Sequence, residues 1–461
     1  MSLFSFFISE NRVEFDLKEL GSIDDFLSRL KNKPFLRENW ANLFFIIIIA
    51  IPFSIFFVQG LLYGFDELEH SALTGLFISA FFYNLFIILI VIFILMNMKL
   101  RLTPTLLYLG LIFMVIFFIL YLPGMYGGDV NQVVYTGAQC LWEGKNPYDP
   151  NELYIQHGSP TGAGVFHEGT YPYLPVDLLS YGLILGIFNL ISSFLVNGDV
   201  PIWLPGFNDV GLTLANLILT AIGCLFTYFL FPEDRFQGPI LALLLMIPFV
   251  WSSAPLMMLY AIIGFYFYQS SFKNKEYFVI LFFTLSALSK YFAGIFLVAI
   301  WITFLYEKEW KKVIAAPGIP IFMFLIVSLP FNFIWVLEST VLFYNSARRH
   351  IEDGSLGGTI VAEFARYFDL IDIIGILTLI GLILIFIIGM FIKKNTELRL
   401  VVMSLLSLLV INSFAVPFLA IAIFGVILFD YTLITSSQRE KSTIMKEEPI
   451  ESIPESDPLQ I

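Results

Sequence analysis

A polar segment in an otherwise strongly apolar chain contains a carboxylate that is a candidate for catalysis. The segment reads YGGDVNQVVYTGAQCLWEGKNPYD and covers positions 126–149. Asp129 stands at the start of a stretch with helical spacing. Its carboxylate therefore serves either as the N-cap of that helix or as a catalytic group. Spacing alone leaves both interpretations open.

A second polar segment, at 341–370, contains a basic cluster. Arg348, Arg349 and His350 are adjacent, and Arg366 follows later in the same segment. Guanidinium groups bind phosphate through two parallel hydrogen bonds, so the cluster is suited to an anionic head group. The alternative is a solvated loop in which arginine pairs with neighbouring acidic residues.

One lysine lies inside an apolar block of the sequence. Lys290 occurs in ALSKYFAG. An ionisable residue in such a block is a functional candidate, because a charge in hydrocarbon is costly. The alternative is that the long side chain reaches the membrane surface.

Neither a metal site nor a cofactor is predicted. His157 and His167 are ten residues apart, which is not a metal-ligand spacing. The two cysteines are too few for a disulfide framework or a thiolate site. Nothing in the composition indicates a nucleic-acid partner.

Composition places these polar segments in an all-α, multi-pass membrane protein. Hydrophobic residues make up 58% of the chain and charged residues only 13%. A water-soluble core cannot bury that much apolar surface, so lipid is the solvent for most of it. We predict about ten to thirteen membrane-spanning helices, each close to the thickness of the bilayer.

Charge patterning predicts the topology. Residues 1–42 form a basic, amphipathic N-terminus on the cytoplasmic face, followed by two helices within 43–103. A membrane module covers 104–430, with outer-face loops at 124–175 and 337–370. Its span at 371–392 returns to basic residues on the cytoplasmic face, namely Lys393, Lys394 and Arg399. Residues 431–461 are acidic and rich in proline, which predicts a disordered tail.

The helix after Asp129 is predicted to lie along the outer membrane interface. An apolar stripe that ends at Trp142 supports this position. Gly144 should end the helix, and the Asn-Pro-Tyr-Asp sequence that follows is typical of a turn.

Three apolar blocks are too long for one ordinary span and too short for two. They cover 239–271, 277–306 and 398–430. WSSAP, LSK and NSFAVP interrupt them, which predicts broken helices that line a cavity within the protein.

The order of these motifs resembles that of the GT-C glycosyltransferases, in particular family-87-like, polyprenyl-phosphate-mannose-dependent mannosyltransferases of archaeal type. The matching residues are Asp129, the Gly-Lys-Asn-Pro-Tyr-Asp motif at 144–149, and Tyr-Pro-Tyr-Leu-Pro at 171–175. Lys290 matches a family lysine that ends a short helix. The segment at 353–368 has Asp-Gly where the family has Asn-Gln.

The resemblance implies that a sugar moves from a polyprenyl- or dolichyl-phosphate donor to a glycan or glycolipid acceptor on the outer face of the plasma membrane. Asp129 would accept the proton of the attacking hydroxyl, with Glu143, Asp149 and Glu168 as alternatives. Cations would stabilise the leaving phosphate during an inverting displacement. The implied phosphate-binding residues are Lys290, Arg348, Arg349, His350 and Arg366, and the implied substrate-loop residues are Tyr148, Glu168, Tyr171, Tyr173 and Ser355.

Two alternatives remain open at this point. One is a polytopic transporter or lipid scramblase, which needs polar residues across the membrane midplane. The other is a non-catalytic scaffold of GT-C type that only binds lipid.

Overall fold

The computed structural model describes most of the chain from Asp129 onward. The described residues are 129–152, 154–157, 167–195, 207–230, 237–247, 253–342, 373–392 and 396–410, with single positions at 361, 364, 365, 368 and 370. The predicted N-terminus, the two helices of 43–103 and the acidic tail lie outside these residues. The predicted module at 104–430 is described in part.

Helices dominate the described residues, as the hydrophobic pattern predicts. In chain order they are α1 (Asp129–Trp142), α2 (Pro175–Leu195), α3 (Phe207–Leu230), α4 (Gln237–Met246), α5 (Ala254–Gln269), α6 (Lys275–Ser289), α7 (Gly294–Glu307), α8 (Trp310–Ser328), α9 (Phe333–Leu337), α10 (Ile374–Phe391) and α11 (Thr396–Val410).

Within the described residues, three helical segments are long and apolar enough to cross a bilayer. They are Gly211–Leu230, Trp310–Phe331 and Ile374–Phe391. Large apolar side chains point outward from the last two, including Phe322 and Phe391 at 65% and 78% exposure. Water would not favour such a surface, whereas hydrocarbon would cover it. This is consistent with a helical membrane protein.

Two of the predicted helix interruptions are confirmed. The WSSAP block separates α4 from α5, whose first turn contains Pro255. α6 ends at Ser289, Lys290 has an extended backbone, and Tyr291–Ala293 forms a single 3-10 turn before α7. The third interruption, at 412–417, lies outside the described residues.

The helix that begins at Asp129 packs on α2 through two glycines. A methyl group at Gly186 would lie 2.0 Å from the indole of Trp142, and one at Gly182 would lie 2.6 Å from Leu141. The indole N–H of Trp142 donates to the Gly182 carbonyl at 2.6 Å. The apolar stripe of α1 therefore contacts a neighbouring helix, which is an interaction that the predicted interfacial position did not include.

A short antiparallel sheet is an exception to the predicted all-α fold. Strand β1 (Ile155–His157) pairs with β2 (His167–Gly169), and His157 lies opposite His167. Each strand has three residues. Such strands are too short for the alternating pattern by which a sequence indicates a strand.

Arg399 is buried among helix ends, although the sequence placed it with the cytoplasmic charges that flank a span. Its guanidinium donates to the carbonyls of Gly389 and Ile392 at the end of α10, and to the Thr303 hydroxyl of α7. It is 1% exposed. A cation at the carboxyl end of a helix satisfies carbonyls that lack a partner within the helix.

Candidate active site

The predicted turn after α1 is confirmed and is anchored to a distant helix end. Gly144 has φ of 72°, in the left-handed region that favours glycine at the end of a helix. The side chain of Asn146 accepts from the Tyr148 amide at 3.1 Å and donates to the Phe331 carbonyl at 2.9 Å. The turn thereby fixes the position of Tyr148.

Three tyrosines form a packed aromatic group below this turn. Tyr148 and Tyr171 are fully buried and meet edge to face, with ring centroids 5.7 Å apart. Tyr171 meets Tyr173 in the same way at 5.6 Å. The Tyr148 hydroxyl donates to the Tyr173 carbonyl at 2.8 Å. These are the three tyrosines that the resemblance implied for the substrate loop, and they lie in one group.

A buried carboxylate lies beside the aromatic group. Asp177 is 0% exposed in the first turn of α2. The Tyr171 hydroxyl donates to its Oδ2 at 2.8 Å, while Oδ1 accepts no hydrogen bond from any residue that the structure describes. An unpaired carboxylate oxygen away from water is costly, so its retention requires a compensating interaction.

Lys290 supplies a positive charge to the same place. Its ammonium lies 4.2 Å from the centroid of the Tyr173 ring. Attraction to the face of the ring holds a cation there. The Tyr173 ring meets Tyr171, whose hydroxyl donates to Asp177, so the ammonium and the carboxylate lie at the same group of aromatic rings. The break between α6 and α7 therefore presents a cation to a buried anion.

The second helix break contributes a hydroxyl. Ser253 precedes α5 but makes no capping hydrogen bond. Its hydroxyl is buried beside Asp177 without a fully formed hydrogen bond to a described residue. The Ser286 hydroxyl of α6 donates to the Met257 carbonyl at 2.7 Å, which joins the two helices next to their breaks. Both interruptions thus lie at one polar site.

Burial changes the acidity of the two inner tyrosines. Loss of hydration raises the pKa of Tyr148 well above its ordinary value, and the charge of Asp177 raises it further. The same causes, in the same order, raise the pKa of Tyr171. Both phenols therefore stay protonated at neutral pH and act as hydrogen-bond donors.

Two of the predicted carboxylates are engaged in local contacts. Glu143 forms an ion pair with Lys145 at 2.6 Å and accepts from the Gln139 amide at 2.8 Å. Asp149 accepts from the backbone and the side chain of Asn151 at 2.9 and 3.0 Å. Both carboxylates therefore contribute to the structure of the turn.

The other predicted site residues are described only in part or not at all. Asp129 is the first residue of α1, and Glu168 is the middle residue of β2, but the positions of their side chains lie outside the description. Outside it as well are Arg348, Arg349, His350, Ser355 and Arg366.

Sequence reasoning missed Asp177. The available signal was an ionisable residue within an otherwise apolar helix, which is a functional candidate for the same reason as Lys290. Its place in the first turn of α2 hid this signal, because acidic residues commonly stabilise helix starts.

Polar side chains also occur inside the helix bundle, whereas the sequence interpretation assigned them mainly to outer loops. The Tyr181 hydroxyl of α2 donates to Oδ1 of Asn216 on α3 at 2.6 Å, and both residues are fully buried. Ser180 and Tyr260 share a hydrogen bond of 3.1 Å between α2 and α5. Polar contacts therefore extend from Asp177 into the bundle.

Within the described part of the chain, no group of three or more His, Cys, Asp and Glu residues is arranged to hold a metal ion. Comparison of the chain with protein-family models, with curated proteins and with solved structures finds no match in any of the three.

Proposed function

We propose that the chain is an integral membrane glycosyltransferase of GT-C type. It transfers a hexose, such as mannose, from a polyprenyl- or dolichyl-phosphate donor to the hydroxyl of a glycan or glycolipid acceptor on the outer face of the plasma membrane. The order of motifs from Asp129 to Lys290 supports this assignment, and so do the apolar helices that surround the polar site.

The observation that carries the proposal is the state of Lys290. Its ammonium lies over Tyr173, and its N–H groups make no hydrogen bond to any residue that the structure describes. A cation whose three donors make no hydrogen bond to the described residues, placed at a helix break among apolar helices, is suited to the phosphate of a lipid-linked sugar. An ordinary structural lysine would have used those donors within the protein.

In the proposed reaction the acceptor oxygen attacks the anomeric carbon of the donor sugar. Asp129 takes the hydroxyl proton as the new bond forms. The bond between the sugar and the phosphate oxygen breaks, and the lipid phosphate leaves with the bonding electrons. Lys290 stabilises the negative charge that develops on this leaving group. Direct displacement inverts the anomeric configuration.

A transfer assay tests the proposal. The full-length protein in nanodiscs is incubated with radiolabelled polyprenyl-phosphate mannose and an extract of membrane glycolipids. We expect a labelled product whose anomeric configuration is opposite to that of the donor. Asp129→Asn should abolish transfer and leave the protein folded, because the amide cannot accept the proton.

A matched control is Asp149→Asn, which changes an acidic residue that is engaged in a local turn. Transfer should continue in this variant. Wild-type activity in Asp129→Asn would refute the assignment of the base. Failure of the wild-type protein to release sugar from any polyprenyl-phosphate hexose would contradict the enzymatic proposal.

A transporter is the second candidate, and one observation favours it. The buried contact between Tyr181 and Asn216, together with Asp177, provides polar groups along helices α2 and α3. Such groups are typical of pathways through transporters and scramblases. Flux of a fluorescent polyprenyl phosphate across proteoliposomes, without sugar transfer and reduced by Asn216→Leu, would support this candidate over the enzyme.

A further inference from the structure

The Asp177 carboxylate is more costly than a structural role requires. Its Oδ2 has one donor, Tyr171, and the residue is completely buried. Its Oδ1 has no hydrogen-bond partner among the described residues. A carboxylate that served only the fold would have both oxygens satisfied, because each unpaired one lowers stability.

The group that compensates for this cost is Lys290. The two residues are linked through the aromatic group: Tyr171 contacts Asp177 through its hydroxyl and Tyr173 through its ring, and Tyr173 lies beneath the ammonium. Asp177 is the acidic residue that this series of contacts joins to Lys290, and a negative charge on it favours the protonated ammonium. The pair is thus coupled through space, and the carboxylate does not occupy the N–H donors.

This arrangement solves a problem that any buried phosphate-binding lysine meets. An ammonium removed from water loses its proton unless a nearby anion compensates for the lost hydration. A direct ion pair supplies that anion, but it also uses the donors that a ligand needs. An anion linked to the ammonium through the Tyr171 and Tyr173 rings keeps the charge and leaves the donors available.

We propose that Asp177 is a positioning residue for the lipid-phosphate site, and that it holds Lys290 in the protonated form that binds the phosphate head group. The Tyr171 hydroxyl holds the carboxylate through Oδ2, and the Tyr171 ring meets the Tyr173 ring on which the ammonium lies. This inference rests on the proposed function, because it assumes that Lys290 binds the donor phosphate.

The test compares a charged lipid with its neutral equivalent. Binding of polyprenyl monophosphate and of the matching polyprenol is measured by native mass spectrometry on the full-length protein in phosphatidylcholine nanodiscs. Asp177→Asn, which keeps the shape but removes the charge, should weaken phosphate binding by at least about tenfold. Polyprenol binding should be unchanged, since the apolar groove is intact.

The same substitution in a Lys290→Arg protein distinguishes an effect of Asp177 on the protonation of residue 290 from an effect on the fold. Arginine stays charged in any environment, so Lys290→Arg removes the need for a carboxylate to maintain the charge. Asp177→Asn should therefore weaken phosphate binding much less when position 290 is arginine. A purely structural residue would have the same effect with either cation. Tyr171→Phe removes the hydrogen bond that holds the carboxylate but keeps its charge, so this variant should weaken phosphate binding less than Asp177→Asn does.

Each outcome decides between the possibilities. Unchanged or tighter phosphate binding by Asp177→Asn overturns the inference, since the carboxylate would then be neutral toward the ligand or repel it. A variant that fails to fold, or that loses both lipids equally, assigns Asp177 to the fold and also overturns it. If Lys290→Met keeps full preference for the phosphate over the alcohol, the proposed phosphate site itself is wrong, and this result is distinct from a failure at Asp177.

Discussion

The Tyr171 hydroxyl donates a hydrogen bond of 2.8 Å to Oδ2 of Asp177. This bond joins a residue of the loop to the first turn of a helix, and the Tyr171 ring meets the Tyr173 ring on which Lys290 rests. The loop, the helix and the cation therefore form one unit. Changes at any of the three are expected to alter the other two.

Lys290→Met should reduce binding of polyprenyl monophosphate, because methionine keeps the apolar stem and removes the charge. We expect a loss of roughly tenfold to a hundredfold in affinity. Thermal stability should fall as well, because the buried Asp177 carboxylate loses the cation that compensates for its burial. Native mass spectrometry in nanodiscs measures the binding. The control is Lys311→Met, an exposed lysine in α8, and an equal loss there would show that the effect is non-specific.

Gly186→Ala should destabilise the contact between α1 and α2. The new methyl group would lie 2.0 Å from the Trp142 indole, which is itself held by a hydrogen bond to the Gly182 carbonyl. Moving the indole breaks that bond, so we expect a loss of about 1–3 kcal/mol in the free energy of unfolding. Thermal unfolding in detergent, followed by tryptophan fluorescence, provides the measurement.

Gly318→Ala is the control for that substitution. Gly318 lies within α8, and nothing lies within 4 Å of an added methyl group. Alanine favours a helix over glycine by about 0.5–1 kcal/mol, so this variant should be as stable as the wild type or slightly more stable. Equal behaviour of the two variants would contradict the packing of α1 on α2.

Arg399→Leu should destabilise the junction of α7, α10 and α11. The change leaves the carbonyls of Gly389 and Ile392 without this donor, and we expect a loss of roughly 2–4 kcal/mol in the free energy of unfolding. Arg399→Lys should recover only part of it, because an ammonium lacks the planar set of donors. Ser407→Ala, which removes only a local bond to the Ser404 carbonyl, is the control in the same unfolding assay.

Stability should fall at alkaline pH because of Tyr148 and Tyr171. Burial raises the pKa of both phenols in the folded protein well above the ordinary value of about 10 that applies in the unfolded chain. The unfolded state therefore loses protons first, so the stabilisation is complete below about pH 10 and declines as pH rises above it. Thermal unfolding against pH measures the decline.

Tyr148→Phe provides the comparison for the alkaline prediction. The variant removes one of the two titrating groups, so its stability should fall less steeply with pH. The tyrosinate absorbance of the wild type should also include a fraction of phenols that resists ionisation, and this fraction should be smaller in the variant. If Tyr148 ionises together with the exposed tyrosines, its burial in the aromatic group is wrong.

The helices could be predicted well from the sequence, because the length of an apolar run and the presence of helix-breaking residues are local signals. The interruption before Tyr291 and the end of α1 near Gly144 follow from such signals. The prediction also selected Lys290 and the tyrosines at 148, 171 and 173, which lie together. Lys290 was selected for its residue type and the tyrosines for their motif. Both criteria can be read from the sequence without knowledge of distant contacts.

Other features of the site depend on tertiary contacts that no local pattern encodes. The pairing of Asp177 with Lys290 becomes visible only when α6 packs against α2 and brings Lys290 to the start of that helix. Arg399 was interpreted as a flanking cytoplasmic charge, because the topology rule counts basic residues near span ends and does not ask where they fold. The short sheet was missed because three residues per strand are below the length at which alternation is detectable.

The buried guanidinium of α11 has a consequence for biogenesis. A lone arginine entering hydrocarbon is unfavourable, and so are the exposed carbonyls at the end of α10. When the Arg399 guanidinium donates to the Gly389 and Ile392 carbonyls, the charge gains acceptors and the carbonyls gain a donor. The last two described helices are therefore expected to leave the translocon as a pre-formed hairpin, and truncation of the nascent chain between them would strand α10 without its partner.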